Sequence, residues 1–438
     1  MVMIAVPFIY FTSLCLYFVY KHGRFETSAW LAFLYAVSAL AAIPVYFQNM
    51  VGIAYGMNIE SIGVVPTILY CGLLTLTFLP FSQMNSEKIV RIEEGKPWLV
   101  YTVSWLFIAT FFLTLFNYMV DLKDVFAVDD LKKVRDMVYS GDNETQLTGI
   151  RYYLALPETL FSALAMLAIP FFFYSLCCTD NSWWFNALLL LSSTTSIVKS
   201  ILIAGRTQII YWLFIFVACY LFFAHLLKPM YKHVIRIAFG ILGSGVMLFF
   251  VAVTAARYYD MAELAYQMIM LYLGEAFVLF CYFWDNFTSD FISFQRLFPF
   301  VHKFLLGVDI DLELYRDRVF AQSGLFIGVF FTFLGDLLID IGRLGMIIYV
   351  FIYHGVARLF LSREDESVLP FYQLLIWLLL LLVPLEGLFY YSFHTLRMSY
   401  YVLETILLIF LFKYRIRLWH KTEDEEALPE SSESEEVV

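Results

Sequence analysis

The residues best suited to chemistry in this 438-residue chain are arginines, one histidine and a few carboxylates that interrupt long apolar runs. A charge at or inside a bilayer costs about 2.5–3.5 kcal/mol on insertion scales, so it seldom stands idle. Lys199 and Arg206 are seven apart in SSTTSIVKSILIAGRTQ, and a continuous helix would put both on one face among Ser and Thr hydroxyls. Arg257 closes an apolar run in VTAARYYD. Asp336, Asp340 and Arg343 stand at i, i+4 and i+7 in LGDLLIDIGRLG, which a helix would align. His394 and Arg397 stand at i and i+3 in YYSFHTLRMSYY, with Glu386 upstream in VPLEGLF.

A guanidinium keeps its charge and meets phosphate oxygens two at a time. Several of them at one membrane boundary suit a lipid diphosphate whose tail lies in the bilayer. A nearby histidine or carboxylate is the kind of group that takes a proton from a hydroxyl. The candidates for that base are His394, Asp336, Asp340 and Glu386. A plainer reading stands beside each charge: a snorkelling lysine, a helix-end arginine, or an ion pair that lets a segment enter the membrane. Between Arg257 and Asp336, the groups Arg296, His302, Lys303, Arg316 and Arg318 face Asp309, Asp311, Glu313 and Asp317 in number. Most of that set reads as solvated loop surface. Glu275 reads as a partly buried acid in an amphipathic segment.

The elements that must position these groups are membrane helices. Hydrophobic residues make up 61% of the chain and charged ones 15%, against about 45–50% and 25% in soluble domains. That excludes a nucleic-acid binder, a disulfide-stapled module and a disordered scaffold. The fold expected is an all-α polytopic membrane protein. About 20 apolar residues cross a bilayer, and eleven stretches qualify, near 2–20, 28–47, 62–81, 97–119, 159–178, 184–204, 208–227, 234–256, 341–361, 369–388 and 395–412. Residues 264–284 and 321–339 are ambiguous, because each carries an acid; with both, the count is thirteen.

Half of the 28 Lys and Arg fall in short loops on one side, from Lys21 and Arg24 through Lys228 and Arg358 to Lys413 and Lys421. Such loops stay in the cytoplasm. The N-terminus is then outside and the C-terminus cytoplasmic. Two long loops, about 120–158 and 257–340, lie outside. The organisation expected is a membrane domain over 1–421 and an acidic tail over 422–438, whose eight acidic and no basic residues supply most of the net charge of −10. That tail has too few apolar residues to form a core. No cleavable signal peptide is read at the N-terminus. The six cysteines sit in or beside apolar runs and form no metal-ligand pattern. No phosphate loop, zinc-protease, serine-hydrolase or dinucleotide motif occurs, so neither metal nor cofactor is expected. No internal repeat supports a transporter built of inverted halves.

The chain resembles the Wzy-type oligosaccharide repeat unit polymerases, or O-antigen polymerases, of bacterial surface polysaccharide assembly. The likeness runs loosely over most of its length. It rests on the polytopic plan with a large outer loop in the C-terminal half, and on a Ser/Thr-rich span ending in Gly205-Arg206-Thr207. It rests also on Arg257 closing a helix, on the Asp340, Gly342 and Gly345 pattern entering a span, and on Arg296 followed eleven residues later by Gly307. The resemblance implies a glycosyltransferase of the inner membrane, with undecaprenyl-diphosphate-linked oligosaccharides as substrates and a chain-length regulator as a partner. The growing glycan passes to a new lipid-linked repeat unit and lipid diphosphate leaves. Arg206 and Arg257 are the first choices for holding diphosphate, then Arg296, Arg343 and Arg397. The competing readings are an O-antigen ligase-type enzyme and a polysaccharide flippase or transporter.

Overall fold

A computed structural model describes residues 2–84, 86–93, 96–127, 150–202, 207–257, 262–287, 293–308, 312–362 and 367–414. Arg206, most of the first long loop and the acidic tail lie outside these residues, and so does the side chain of Arg257. The described chain is all-α apart from one pair of three-residue strands. Among the described residues, seven helices are long and apolar enough to cross a membrane, namely Val2–His22, Thr27–Phe47, Val64–Lys88, Pro97–Tyr118, Pro157–Cys178, Tyr266–Asn286 and Thr332–Leu361. Thr207–Phe223 and Phe371–Glu386 are apolar but shorter. This is the plan of a multi-pass membrane protein.

The first helices are α1 (Val6–His22), α2 (Thr27–Phe47), α3 (Met50–Tyr55), α4 (Val64–Phe78) and α5 (Pro97–Ala127). Then come α6 (Ile150–Phe161), α7 (Ala168–Cys178), α8 (Trp183–Ser192), α9 (Thr195–Leu202), α10 (Thr207–Phe223) and α11 (Pro229–Arg257). The rest are α12 (Ala262–Asn286), α13 (Pro299–Phe304), α14 (Leu312–Ser323), α15 (Thr332–Leu361), α16 (Phe371–Glu386) and α17 (Leu396–Lys413). Packing between them needs small residues where backbones approach. Helix α2 supplies Ala29, Ala32, Ala36, Ala39 and Ala42, all buried. Gly274 of α12 meets it so closely that an added Cβ would lie 2.3 Å from the Ala41 carbonyl carbon. The ambiguous stretch 264–284 is therefore a long helix seated against the core.

Two other stretches differ from the expectation. The single span near 184–204 is divided into α8 and α9 at residues 193–194, where Ser193 and Thr194 turn their side chains back onto Leu190 and Leu191 carbonyls. Residues 324–331 are not helical, and α15 is broken at Gly342, whose φ of 74° and ψ of 174° only glycine adopts readily. The part before the break, 332–341, is buried, while the part after it runs to Leu361 with a more exposed surface. Ten residues rise about 15 Å, too little to cross a bilayer.

The basic loops gather at one end. Arg24 pairs with Glu26 at 2.6 Å and Glu87 at 2.9 Å, Lys21 donates to the Ser82 carbonyl, and His225 meets the Ile89 carbonyl at 2.8 Å. There β1 (Arg91–Glu93) pairs in parallel with β2 (Val368–Pro370). Helix α16 leaves β2 and climbs to Glu386, and α17 returns to Lys413, where Lys96 donates to the carbonyls of Leu411 and Tyr414. The turn 387–395 thus lies at the end opposite the basic loops, and the candidate site is built around it.

Candidate functional site

The buried part of α15 organises the site. Asp340 is fully buried, and its carboxylate accepts from the backbone N–H groups of Gln295 (3.1 Å), Arg296 (3.1 Å) and Leu297 (2.9 Å), and from the Ser293 hydroxyl. These bonds fasten the turn 293–297 onto α15. They also hold Phe294 at a φ of 53°, a left-handed conformation that a bulky residue rarely adopts and that clusters at functional sites. The turn carries Arg296 into the protein, 5% exposed. Its guanidinium pairs with Asp336 and lies 5.5 Å from the centre of the Tyr315 ring.

One helical turn before Asp340, Asp336 is 1% exposed. Its other oxygen accepts the Tyr391 N–H at 2.6 Å. The Tyr391 carbonyl meets Nδ1 of His394 at 2.5 Å. A carbonyl only accepts, so Nδ1 carries the hydrogen and, in the neutral ring, Nε2 keeps the lone pair. Burial, Arg296 and Arg316 together push the imidazole down to about 3, so the ring is neutral at physiological pH. Tyr390 lies against it with ring centres 5.7 Å apart.

Arg316, read from sequence as solvated loop, belongs here. It stands on α14, where Tyr315 is 2% exposed. Its Nε is buried and meets no hydrogen-bond partner among the described residues, and the same is true of Nε of Arg296. The signal for Arg316 was in the sequence only as Tyr315 beside it, an aromatic in an otherwise charged stretch.

Three expected alignments are altered. Arg343 does not share a face with Asp336 and Asp340, because the Gly342 break redirects it. It caps α12 instead, donating to the carbonyls of Trp284 (2.5 Å) and Phe287 (3.3 Å), the usual task of a cation at a helix C-terminus. His394 does not sit on a helix with Arg397, because Thr395 caps α17 by accepting the Met398 N–H, and His394 precedes that cap. Glu275 is not a half-solvated acid. It is 2% exposed and takes the Tyr55 hydroxyl (2.9 Å) and the Phe330 N–H (3.0 Å), so it clamps the 324–331 segment to α12.

Arg397 and Glu386 belong to a second polar cluster, with Lys199. Arg397 donates to the Ser162 carbonyl (3.1 Å) and the Ser196 hydroxyl (2.9 Å). Lys199 pairs at 2.6 Å with Glu158, which is fully buried, and donates to the Ser162 hydroxyl at 2.9 Å. Thr114 donates to the same Glu158 oxygen at 2.8 Å. Glu386 is 2% exposed, and its Oε1 meets no donor among the described residues. Glu158 was not read from sequence as a partner for Lys199; it stands just ahead of an apolar run, at the edge of the expected span. A cavity of about 370 Å³ lies elsewhere, between α5, α7 and α8, lined by Trp98, Tyr101, Tyr174 and Phe185.

No family model, no curated protein and no solved structure matches this chain. Its functional reading rests on its own residues.

Proposed function

We propose that the cluster of Arg296, Arg316 and His394 is the diphosphate-binding and proton-accepting centre of a membrane glycosyltransferase. In this reading the protein polymerises undecaprenyl-diphosphate-linked oligosaccharide repeat units on the outer face of the bacterial inner membrane. The membrane is crossed an odd number of times, eleven in this reading, with the N-terminus outside and the C-terminus in the cytoplasm. The observation that carries the reading is the pair of guanidinium groups with buried, unpartnered Nε–H groups beside a neutral histidine. Unpartnered buried donors are costly, and an anion with many oxygens satisfies them.

Among the four base candidates, His394 is favoured. Both oxygens of Asp340 are taken by turn donors, Asp336 is paired with Arg296, and Glu386 sits in the other cluster. His394 would take the hydrogen of the acceptor hydroxyl at Nε2. Arg296 and Arg316 would neutralise the charge that develops on the departing diphosphate. Arg206 and Arg257 remain further candidates for the same anion.

The test is a glycan gel of the host strain with the gene deleted, then restored with wild type or with Arg316→Ala. Deletion should collapse the polymer ladder to a single repeat unit. The Arg316→Ala protein, present at normal level, should fail to restore it. An intact ladder in a deletion strain with no redundant gene ends this reading. Polymer left on its lipid carrier selects the ligase-type enzyme, and loss of all outward-facing repeats selects a flippase.

A further inference from the structure

We infer that Asp336 is a positioning residue that joins the arginine pair to the proton-accepting atom of His394 through the backbone of Tyr391. The inference rests on the diphosphate reading of this site and adds how anion binding and base strength are linked. The chain of contacts is unbroken. Arg296 pairs with one Asp336 oxygen, the other accepts the Tyr391 N–H, and the carbonyl of that same residue holds Nδ1–H of His394. Every link is buried or half-buried, and Asp336 stands on the helical segment that also fixes the Arg296 turn through Asp340. Tyr391 is anchored a second time, by Tyr349, whose hydroxyl donates to its own at 3.2 Å. The imidazole therefore has one tautomer and one orientation while Asp336 is in place.

The groups around His394 explain what occupancy does. Arg296 from the 293–297 turn and Arg316 from α14 act on it, with Tyr390 and the Tyr391 carbonyl from its own turn. Burial first, then the charges of Arg296 and Arg316, oppose protonation of the ring and make it a weak base. A diphosphate at the two guanidinium groups offsets their part of that opposition and raises the ring's affinity for a proton, while the part due to burial stays. The base is then stronger when the leaving group is bound. In the step, the acceptor O–H breaks and its hydrogen joins Nε2. The freed oxygen electron pair forms the new bond to the anomeric carbon, and the old carbon–oxygen pair departs with the diphosphate.

The experiment uses the full chain in lipid nanodiscs with 15N-labelled histidine, and inorganic pyrophosphate as the probe. His394→Gln identifies the signal. Wild type should show the Nδ1–H tautomer, unprotonated at pH 5, and saturating pyrophosphate should raise its apparent pKa by at least one unit. Asp336→Leu combined with Arg296→Met strands no buried charge and should yield mixed tautomers. Asp336→Asn keeps an oxygen for the Tyr391 N–H and should retain the single tautomer. An unchanged tautomer in the folded double variant overturns the inference. So does a wild-type signal that pyrophosphate leaves unmoved, which needs no variant to fold. These readouts need no sugar substrate, so an intact glycan ladder after gene deletion overturns the polymerase reading separately.

Discussion

The two polar clusters at the turn 387–397 use the same residue types and end with opposite needs. Around Asp340, the carboxylates are engaged largely by backbone N–H groups, and the arginines keep unpartnered donors. Around Glu158, the cations are engaged by a carboxylate, a carbonyl and hydroxyls, and what remains are acceptors: Oε2 of Glu158 and Oε1 of Glu386. The first cluster is left with donors that an anion would satisfy, as the proposed function requires. The second is a self-neutralised strut that joins α6, α9 and α17. Counting charges would not separate them; following each hydrogen bond to its partner does.

The strongest way to break this contrast is to replace each ion pair by apolar residues, which avoids a stranded charge that alone costs about 3–5 kcal/mol. Arg296→Met with Asp336→Leu should cut polymer formation at least 100-fold. Lys199→Met with Glu158→Leu should leave it within about threefold, and a reversed result on the glycan gel would remove the distinction. Next in size, Arg316→Ala should weaken pyrophosphate binding by about 10- to 100-fold, the loss of a charge-assisted pair, with the melting temperature unchanged. Arg397→Ala should do the opposite, lowering the melting temperature and leaving calorimetric pyrophosphate affinity alone.

A ligand that binds only the folded state stabilises it by about 2.7 kcal/mol at a hundred times its Kd. Pyrophosphate should therefore raise the melting temperature of wild type and of the Lys199–Glu158 double variant by several degrees, and not that of Arg316→Ala. The smallest effect concerns acid. The folded His394 is held at about 3, below the ordinary value of about 6.5. The unfolded chain thus binds a proton that the folded one refuses, and stability falls as pH drops below about 6.5. His394→Asn should flatten that part of the melting temperature profile between pH 6.5 and 5, where a second-cluster variant such as Lys199→Met should not.

Hydropathy made the long helices legible, because a run of about 20 apolar residues has few other fates. It also drew attention to Asp336, Asp340 and His394, since charge amid such runs needs a partner, whereas Arg296 was singled out only by the family resemblance. What periodicity missed came from backbone events. The i, i+4, i+7 alignment assumed an unbroken helix, and one positive φ at Gly342 removed Arg343 from it. The value of Asp340 lies in main-chain N–H groups, which every sequence offers and no residue type advertises. Arg316 looked solvated because its segment is charged overall; in the fold it is half-buried, with its Nε out of solvent, next to the buried Tyr315.

The small parallel sheet at the basic end has a temporal consequence. β1 ends at Glu93, and its partner begins about 275 residues later at Val368. At roughly 5–20 residues per second of synthesis, the first strand waits roughly 15 to 55 s for the second. Through that interval the early helices are inserted with one edge unfastened. Closure comes only as the ribosome finishes α16 and α17, the helices that bring Tyr391 and His394 to their arginines. The strand pairing and the cluster of Asp336, Tyr391 and His394 therefore both wait for segments made more than 270 residues after the first strand.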